Sequence, residues 1–146
     1  MAVSFCVLSA GMYQLKAQEA DIVVYGATSA GIVAALQSSR IGKSVVLIEP
    51  TSRIGGLTTG GLGQTDIGNK IAIGGVSREF YQEIKKYYDK PENWKWQEKS
   101  EYADGGQTRT NKGEGAMWTF EPSAALAVFK KMIADGNISL VYNERL

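Results

Sequence analysis

Histidine is absent from this 146-residue chain, and cysteine and proline are scarce, at one and three residues. The first absence removes imidazole acid–base catalysis and any histidine metal site from this segment. The single cysteine, Cys6, allows neither an internal disulfide nor a cysteine-ligated zinc. Neither sign of charge dominates: 16 basic and 15 acidic residues leave a net charge of +1, with no basic run and no cation–aromatic patch. Nucleic acid binding therefore has no support. No apolar run approaches the ~20 residues that a membrane-spanning helix needs. What is there is globular: 44% hydrophobic and 21% charged residues, enough for one modest domain.

The informative stretch is DIVVYGATSAGIVAALQSSRIGKSVVLIEPTSRIGG, residues 21 to 56. Ile22-Val23-Val24-Tyr25 is an apolar run of the kind that forms a parallel strand buried on both faces. A turn follows, Gly26-Ala27-Thr28-Ser29-Ala30-Gly31, and then a small and apolar segment from Ile32 to Ile41 that predicts a helix closed by Gly42 as its left-handed cap. Val45-Val46-Leu47-Ile48 is a second strand, ending on Glu49 and stopped by Pro50. Strand, tight turn, helix, strand, acid is the βαβ unit that binds an adenine dinucleotide.

Each part has a chemical task. Gly26 turns the chain sharply out of the strand, and Gly31 removes a side chain where the helix packs close to the sheet. The helix presents its free N–H groups and positive dipole end to a pyrophosphate. Glu49 lies seventeen intervening residues after Gly31, at the tip of the second strand, placed to accept hydrogen bonds from ribose hydroxyls. One position departs from G-x-G-x-x-G: the middle glycine is Thr28. A β-branched residue crowds the space where backbone approaches phosphate, while the Thr28 and Ser29 hydroxyls offer donors in exchange. An α/β unit that holds no nucleotide is the competing expectation.

The choice of nucleotide turns on the residues just past the acid. Arg53-Ile54-Gly55-Gly56 follows Glu49-Pro50 after two residues, and the E-P-x-x-R-x-G-G run resembles the glutathione-reductase-like flavoprotein superfamily. That resemblance implies an arginine and a glycine pair lining FAD. The phrases IGGVSREFYQEI at 73 to 84 and WTFEP at 118 to 122 look like the FAD-dependent oxidoreductase family of bacterial secreted proteins, some of which carry a xanthan lyase label. The resemblance covers about 21 to 146. It implies FAD as cofactor, held by residues 26 to 31, Glu49, Pro50, Arg53, Gly55 and Gly56; the lack of histidine excludes a histidyl-flavin bond in this segment. It also implies an α/β fold, a Rossmann-like unit on a parallel sheet that is incomplete at the C-terminus, as in the N-terminal portion of a longer flavoenzyme.

Residues 1 to 20, apolar from Ala2 to Met12, have the length of a signal-peptide core, which predicts export, although the start lacks Lys and Arg. The glycine-rich stretch from Thr58 to Gly75 is expected to be a loop running beneath the flavin, with Asp66 and Arg78 as its nearest charges, each with a solvated role. Val76 to Tyr88 predicts a helix with Val76, Phe80, Ile84 and Tyr87 or Tyr88 as its buried stripe. A polar insertion at about 89 to 117 contains Trp94 and Trp96, both expected to pack on the body rather than stack on a sugar, and a short hairpin with arms near 93 to 102 and 107 to 111 about a turn at Asp104-Gly105-Gly106. Pro122 opens a third helix with Leu126, Phe129 and Ile133 buried and Gly136 as its cap, and Ile138 to Tyr142 is a strand. By resemblance, backbone near Arg145-Leu146 would touch adenine.

The expectation is thus an exported FAD-dependent oxidoreductase acting on a small-molecule or carbohydrate-derived substrate, with no catalytic acid or base assignable and the oligomeric state open. An NAD(P)-binding Rossmann enzyme, a truncated non-catalytic or carbohydrate-binding remnant, and a lyase are the alternatives.

Overall fold

The structure, a computed structural model, describes residues 19–64, 68–102 and 114–146. Cys6 with most of the apolar leader, Asp66, the turn at 104 to 106 and the second arm of the expected hairpin lie outside the described residues.

The elements run β1 (Ile22–Tyr25), α1 (Ser29–Arg40), β2 (Val45–Glu49), α2 (Gly56–Gly60), α3 (Gly75–Tyr88), α4 (Pro122–Ala134) and β3 (Ile138–Tyr142). The three strands form one parallel sheet in the order β1-β2-β3, with Val24 opposite Leu47 and Leu47 opposite Leu140. Parallel neighbours require a crossover, supplied here by α1 and then by the chain from α2 through α4. This is an α/β fold, a parallel sheet flanked by helices. Gly42, at φ 84, ends α1 with its N–H on the Ser39 carbonyl at 2.9 Å, the stop the sequence predicts.

Residues paired across a parallel sheet share a face. Ile22, Val24, Val45, Leu47, Ile138 and Leu140 join one core with Ile32, Leu36, Phe80, Ile84, Phe129 and Ile133 from α1, α3 and α4. Val23 and Tyr25 point the other way and are 57% and 48% exposed. β1 is therefore not buried on both faces, because the described helices pack against only one of them.

α3 buries Val76, Phe80, Ile84 and Tyr88, with the Phe80 ring stacked on Phe129 at 4.4 Å. In α4 the buried set is Ala124, Ala125, Val128, Phe129, Met132 and Ile133; Leu126 is only half-buried, so the stripe is rotated from its expected line. The two alanines let the helix approach its neighbours closely, which turns Leu126 outward. Gly136 follows α4 without a left-handed φ, since the helix already closes at Asp135 with right-handed angles (φ −75, ψ −12).

The insertion also differs from expectation. Its first arm is no strand: Pro91–Asn93 and Lys99–Glu101 are single 3-10 turns, one opened by Pro91 and the other by a capping box between Glu98 and Glu101. The Trp94 indole N–H donates to the Tyr88 carbonyl at 2.7 Å and its ring lies 5.0 Å from that of Tyr88, which is packing as expected, whereas Trp96 is 83% exposed and does not pack on the body. Arg78 is not a solvated charge. Its guanidinium donates to the Lys70 carbonyl at 3.0 Å and lies 5.6 Å over the buried Trp118 ring.

Candidate functional site

β1 ends by donating the Gly26 N–H to the Ile48 carbonyl at 2.7 Å, and Gly26 then turns the chain at φ 96. A Cβ added at Gly31 would sit 2.0 Å from the Gly26 carbonyl oxygen, so the turn and the first coil of α1 touch backbone to backbone. Thr28, the departure from the glycine pattern, adopts φ −65 and ψ 172, extended angles open to any residue. Its hydroxyl oxygen accepts the Gly31 N–H at 3.2 Å and its carbonyl accepts the Ile32 N–H at 2.9 Å. Threonine here is the N-cap of α1. Among the described residues the Ser29 and Ala30 N–H groups have no acceptor and are the donors left at the positive end of the helix, beside an exposed Thr28 whose hydroxyl oxygen caps Gly31.

Glu49 stands at the tip of β2 and is 7% exposed. One carboxylate oxygen, Oε2, accepts the Ala27 N–H at 2.9 Å, which ties the acid to the turn after β1. The other, Oε1, accepts from Thr51 twice, from the N–H at 2.9 Å and from the hydroxyl at 2.7 Å. Thr51 Oγ1 also accepts the Arg53 N–H at 3.2 Å, a short side-chain turn that threonine favours. Its carbonyl takes the N–H of Asn143, which leaves β3 at φ 61, so the exits of β2 and β3 are joined.

The R-x-G-G segment is fastened to the same turn. Gly55 N–H donates to the Ala27 carbonyl at 2.7 Å, and Ser29 Oγ donates to the Gly55 carbonyl at 3.0 Å while lying 2.7 Å from Thr58 Oγ1. Because Ser29 has one proton and gives it to Gly55, Thr58 is the donor to Ser29. Gly55 needs to be glycine, at φ 92 with the Thr59 methyl 2.2 Å from an added Cβ. Gly56, at φ 54, faces Thr28 with room for ordinary contact only. Arg53 is exposed and donates one N–H to the Thr59 carbonyl at the end of α2, while the buried Thr59 hydroxyl donates back to the Ile54 carbonyl. The glycine-rich stretch expected to be loop from Thr58 thus opens within a helical turn. Farther on, Gly63 meets backbone: a Cβ there would lie 1.9 Å from the Phe120 carbonyl oxygen.

The residues singled out in the sequence therefore converge at the carboxyl ends of β1 and β2, where open α/β sheets hold ligands. Pro50 is half-buried in the same turn, and Arg145 and Leu146 are exposed past β3. Thr51, Thr58, Thr59 and Asn143 are the participants that sequence reasoning missed; the E-P-T-S-R turn, with threonine two residues before Arg53, was the signal for Thr51. A cavity of about 450 Å³ between α1, α3 and α4 lies elsewhere, and its carboxylates on Glu79, Glu83 and Asp135 already pair with Arg40, Lys86 and Lys131. Such a self-neutralised cleft is a poorer ligand site than the strand ends. Among the described residues no group of His, Cys, Asp or Glu is placed to hold a metal, and no helix is long and apolar enough to cross a membrane.

A family model described as FAD dependent oxidoreductase matches residues 21–146. The chain belongs to the FAD dependent oxidoreductase family. No curated protein matches it. Among solved structures, it is similar to THI4 of Thermovibrio ammonificans, at 13% identity and TM-score 0.46, over 84% of this chain and 38% of that one. It is also similar to 3-ketosteroid-Δ4-(5α)-dehydrogenase of Rhodococcus jostii RHA1, solved with 4-androstene-3,17-dione, at 18% identity and TM-score 0.47, over 94% of this chain and 40% of that one. The chain spans about two fifths of the length of each.

Proposed function

We propose that this member of the FAD dependent oxidoreductase family holds the adenosine and pyrophosphate part of FAD at the ends of β1 and β2, for the oxidation or reduction of a small-molecule or carbohydrate-derived substrate. The observation that carries the reading is the convergence of the capped N-terminus of α1, Glu49 and the R-x-G-G segment on one turn. The donor set suits a dinucleotide: free N–H groups of α1 and the exposed Arg53 for the phosphates, a carboxylate for the ribose, and a glycine at residue 31 whose Cβ would obstruct the turn. When bound, the flavin supplies the redox chemistry by accepting a hydride at its ring. This chain's residues bind and orient the cofactor's adenosine end. The lyase alternative gains no support, as among the described residues none at the site stands free as a base for β-elimination. Export, with removal of about residues 1 to 20, is part of the proposal, and N-terminal sequencing of the mature protein tests it.

The experiment is the visible spectrum of the purified protein after incubation with FAD and desalting. Retained flavin bands are the expected result. A protein that leaves the column colourless, yet is protected by NAD or NADP, would transfer the proposal to a nicotinamide enzyme.

A further inference from the structure

Glu49 is more heavily engaged than its proposed role allows. A carboxylate has about four acceptor positions, two on each oxygen. Three are filled by this chain: Ala27 N–H on Oε2, and the Thr51 N–H and hydroxyl together on Oε1. An adenosine ribose brings two hydroxyl donors to the same carboxylate, and one position remains for them. The two backbone N–H groups are fixed by the turn after β1 and by the chain leaving β2. Only the Thr51 hydroxyl can leave by a side-chain rotation, and Thr51 is exposed while the carboxylate it holds is buried.

We infer that the Thr51 hydroxyl is a built-in competitor for the ribose: it holds Glu49 in place and must yield Oε1 before both ribose hydroxyls are bound. Thr51 thereby sets how tightly the adenosine half is retained, as a positioning residue acting through Glu49. The inference rests on the proposed dinucleotide reading of the site. Its distinguishing feature is sign. A residue that only supports the turn weakens the ligand when it is truncated, whereas removing a competitor strengthens it.

The test is calorimetric titration of the full chain with ADP and with 2′,3′-dideoxy-ADP, which lacks both ribose hydroxyls. Thr51→Val keeps the shape and removes the hydroxyl; Thr51→Ser keeps the hydroxyl. We expect Thr51→Val to bind ADP about tenfold more tightly, the size of one charge-assisted hydrogen bond no longer offset. Dideoxy-ADP affinity stays within about twofold and Thr51→Ser retains the wild-type ratio of the two ligands. Thr51→Val weakening both ligands alike, or leaving the ratio unchanged, overturns the inference. Glu49→Gln separates the two levels. If that variant lowers ADP affinity while Thr51→Val does not change the ratio, the competitor role alone fails. If ADP binding is absent, or indifferent to Glu49→Gln, the ribose reading fails and the competitor role with it.

Discussion

At the residue scale, two positions carry consequences of different kinds. Gly31 is fixed by space: its missing Cβ would lie 2.0 Å from a backbone oxygen that no side-chain motion can move aside. Gly31→Val must therefore push α1 off β1, and we expect little soluble protein and no flavin retained; a folded variant that stays yellow would sink the packing argument. Glu49 is fixed by bonding, since it accepts from residues on both sides of the turn. Glu49→Ala leaves the Ala27 and Thr51 N–H groups without their acceptor, which costs about 1–3 kcal/mol for each such group that stays buried. FAD retention after desalting should fall with it, and unchanged occupancy would remove the acid from the ribose. Both positions were legible from the βαβ spacing. Thr28 is the N-cap of α1, and its capping geometry depends on where its own side chain turns, which spacing does not report.

At the element scale, α3 is held by its aromatic stripe and by charges on its rim. Phe80 stacks on Phe129 and meets Phe120 edge-on at 5.6 Å, so Phe80→Ala should cost about 3–5 kcal/mol in denaturant unfolding. A loss below ~1 kcal/mol would mean that α3 contributes little to the core. Glu83 receives Lys86 from its own helix and Lys131 from α4, and the Lys86 hydrogen bond, then Lys131, hold its carboxyl below the ordinary value of 4.5. A depressed carboxylate stabilises the fold above its unfolded pKa, and that contribution is lost as pH falls through the folded value. The lysines are well exposed, so the pair is worth under ~1 kcal/mol. Acidification from about pH 6 to about pH 3.5 should lower the unfolding midpoint. Glu83→Gln removes part of that drop, leaving the same-signed contribution of Asp21, whose carboxyl is lowered by the Ser44 N–H. An identical pH profile for Glu83→Gln would refute the lowered Glu83 carboxyl as a source of stability. Helix α3 was legible, because a 3.6-residue period survives in Val76, Phe80, Ile84 and Tyr88, whereas α2, within a glycine-rich stretch that has no such period, was not. The insertion was not: Trp94 and the polar residues around it carry no period, and their 3-10 turns follow from Pro91 and one capping pair.

At the scale of the whole molecule, the sheet and its strand ends were visible in the apolar runs, whereas the exposure of Val23 and Tyr25 was not. An apolar tetrapeptide states that a strand is suited to burial; which faces are covered is decided by where the crossovers run, a property of topology. That same topology makes ligand binding a global event, because the turn after β1, the exits of β2 and β3 and the R-x-G-G segment are all hydrogen-bonded to one another. A ligand bridging them is linked to unfolding of the whole sheet. At a hundredfold excess over its dissociation constant, a ligand that binds only the native state adds about 2.7 kcal/mol. For a chain of this size that corresponds to a rise of roughly 5–10 °C in Tm. FAD should produce that shift in a thermal scan, ADP should produce much of it through Glu49 and the N-terminus of α1, and riboflavin, which lacks the adenosine and phosphates, should produce little. The order decides the matter: riboflavin protecting as well as FAD, with ADP inert, would mean that the flavin is held elsewhere and that the turn after β1 is a structural joint.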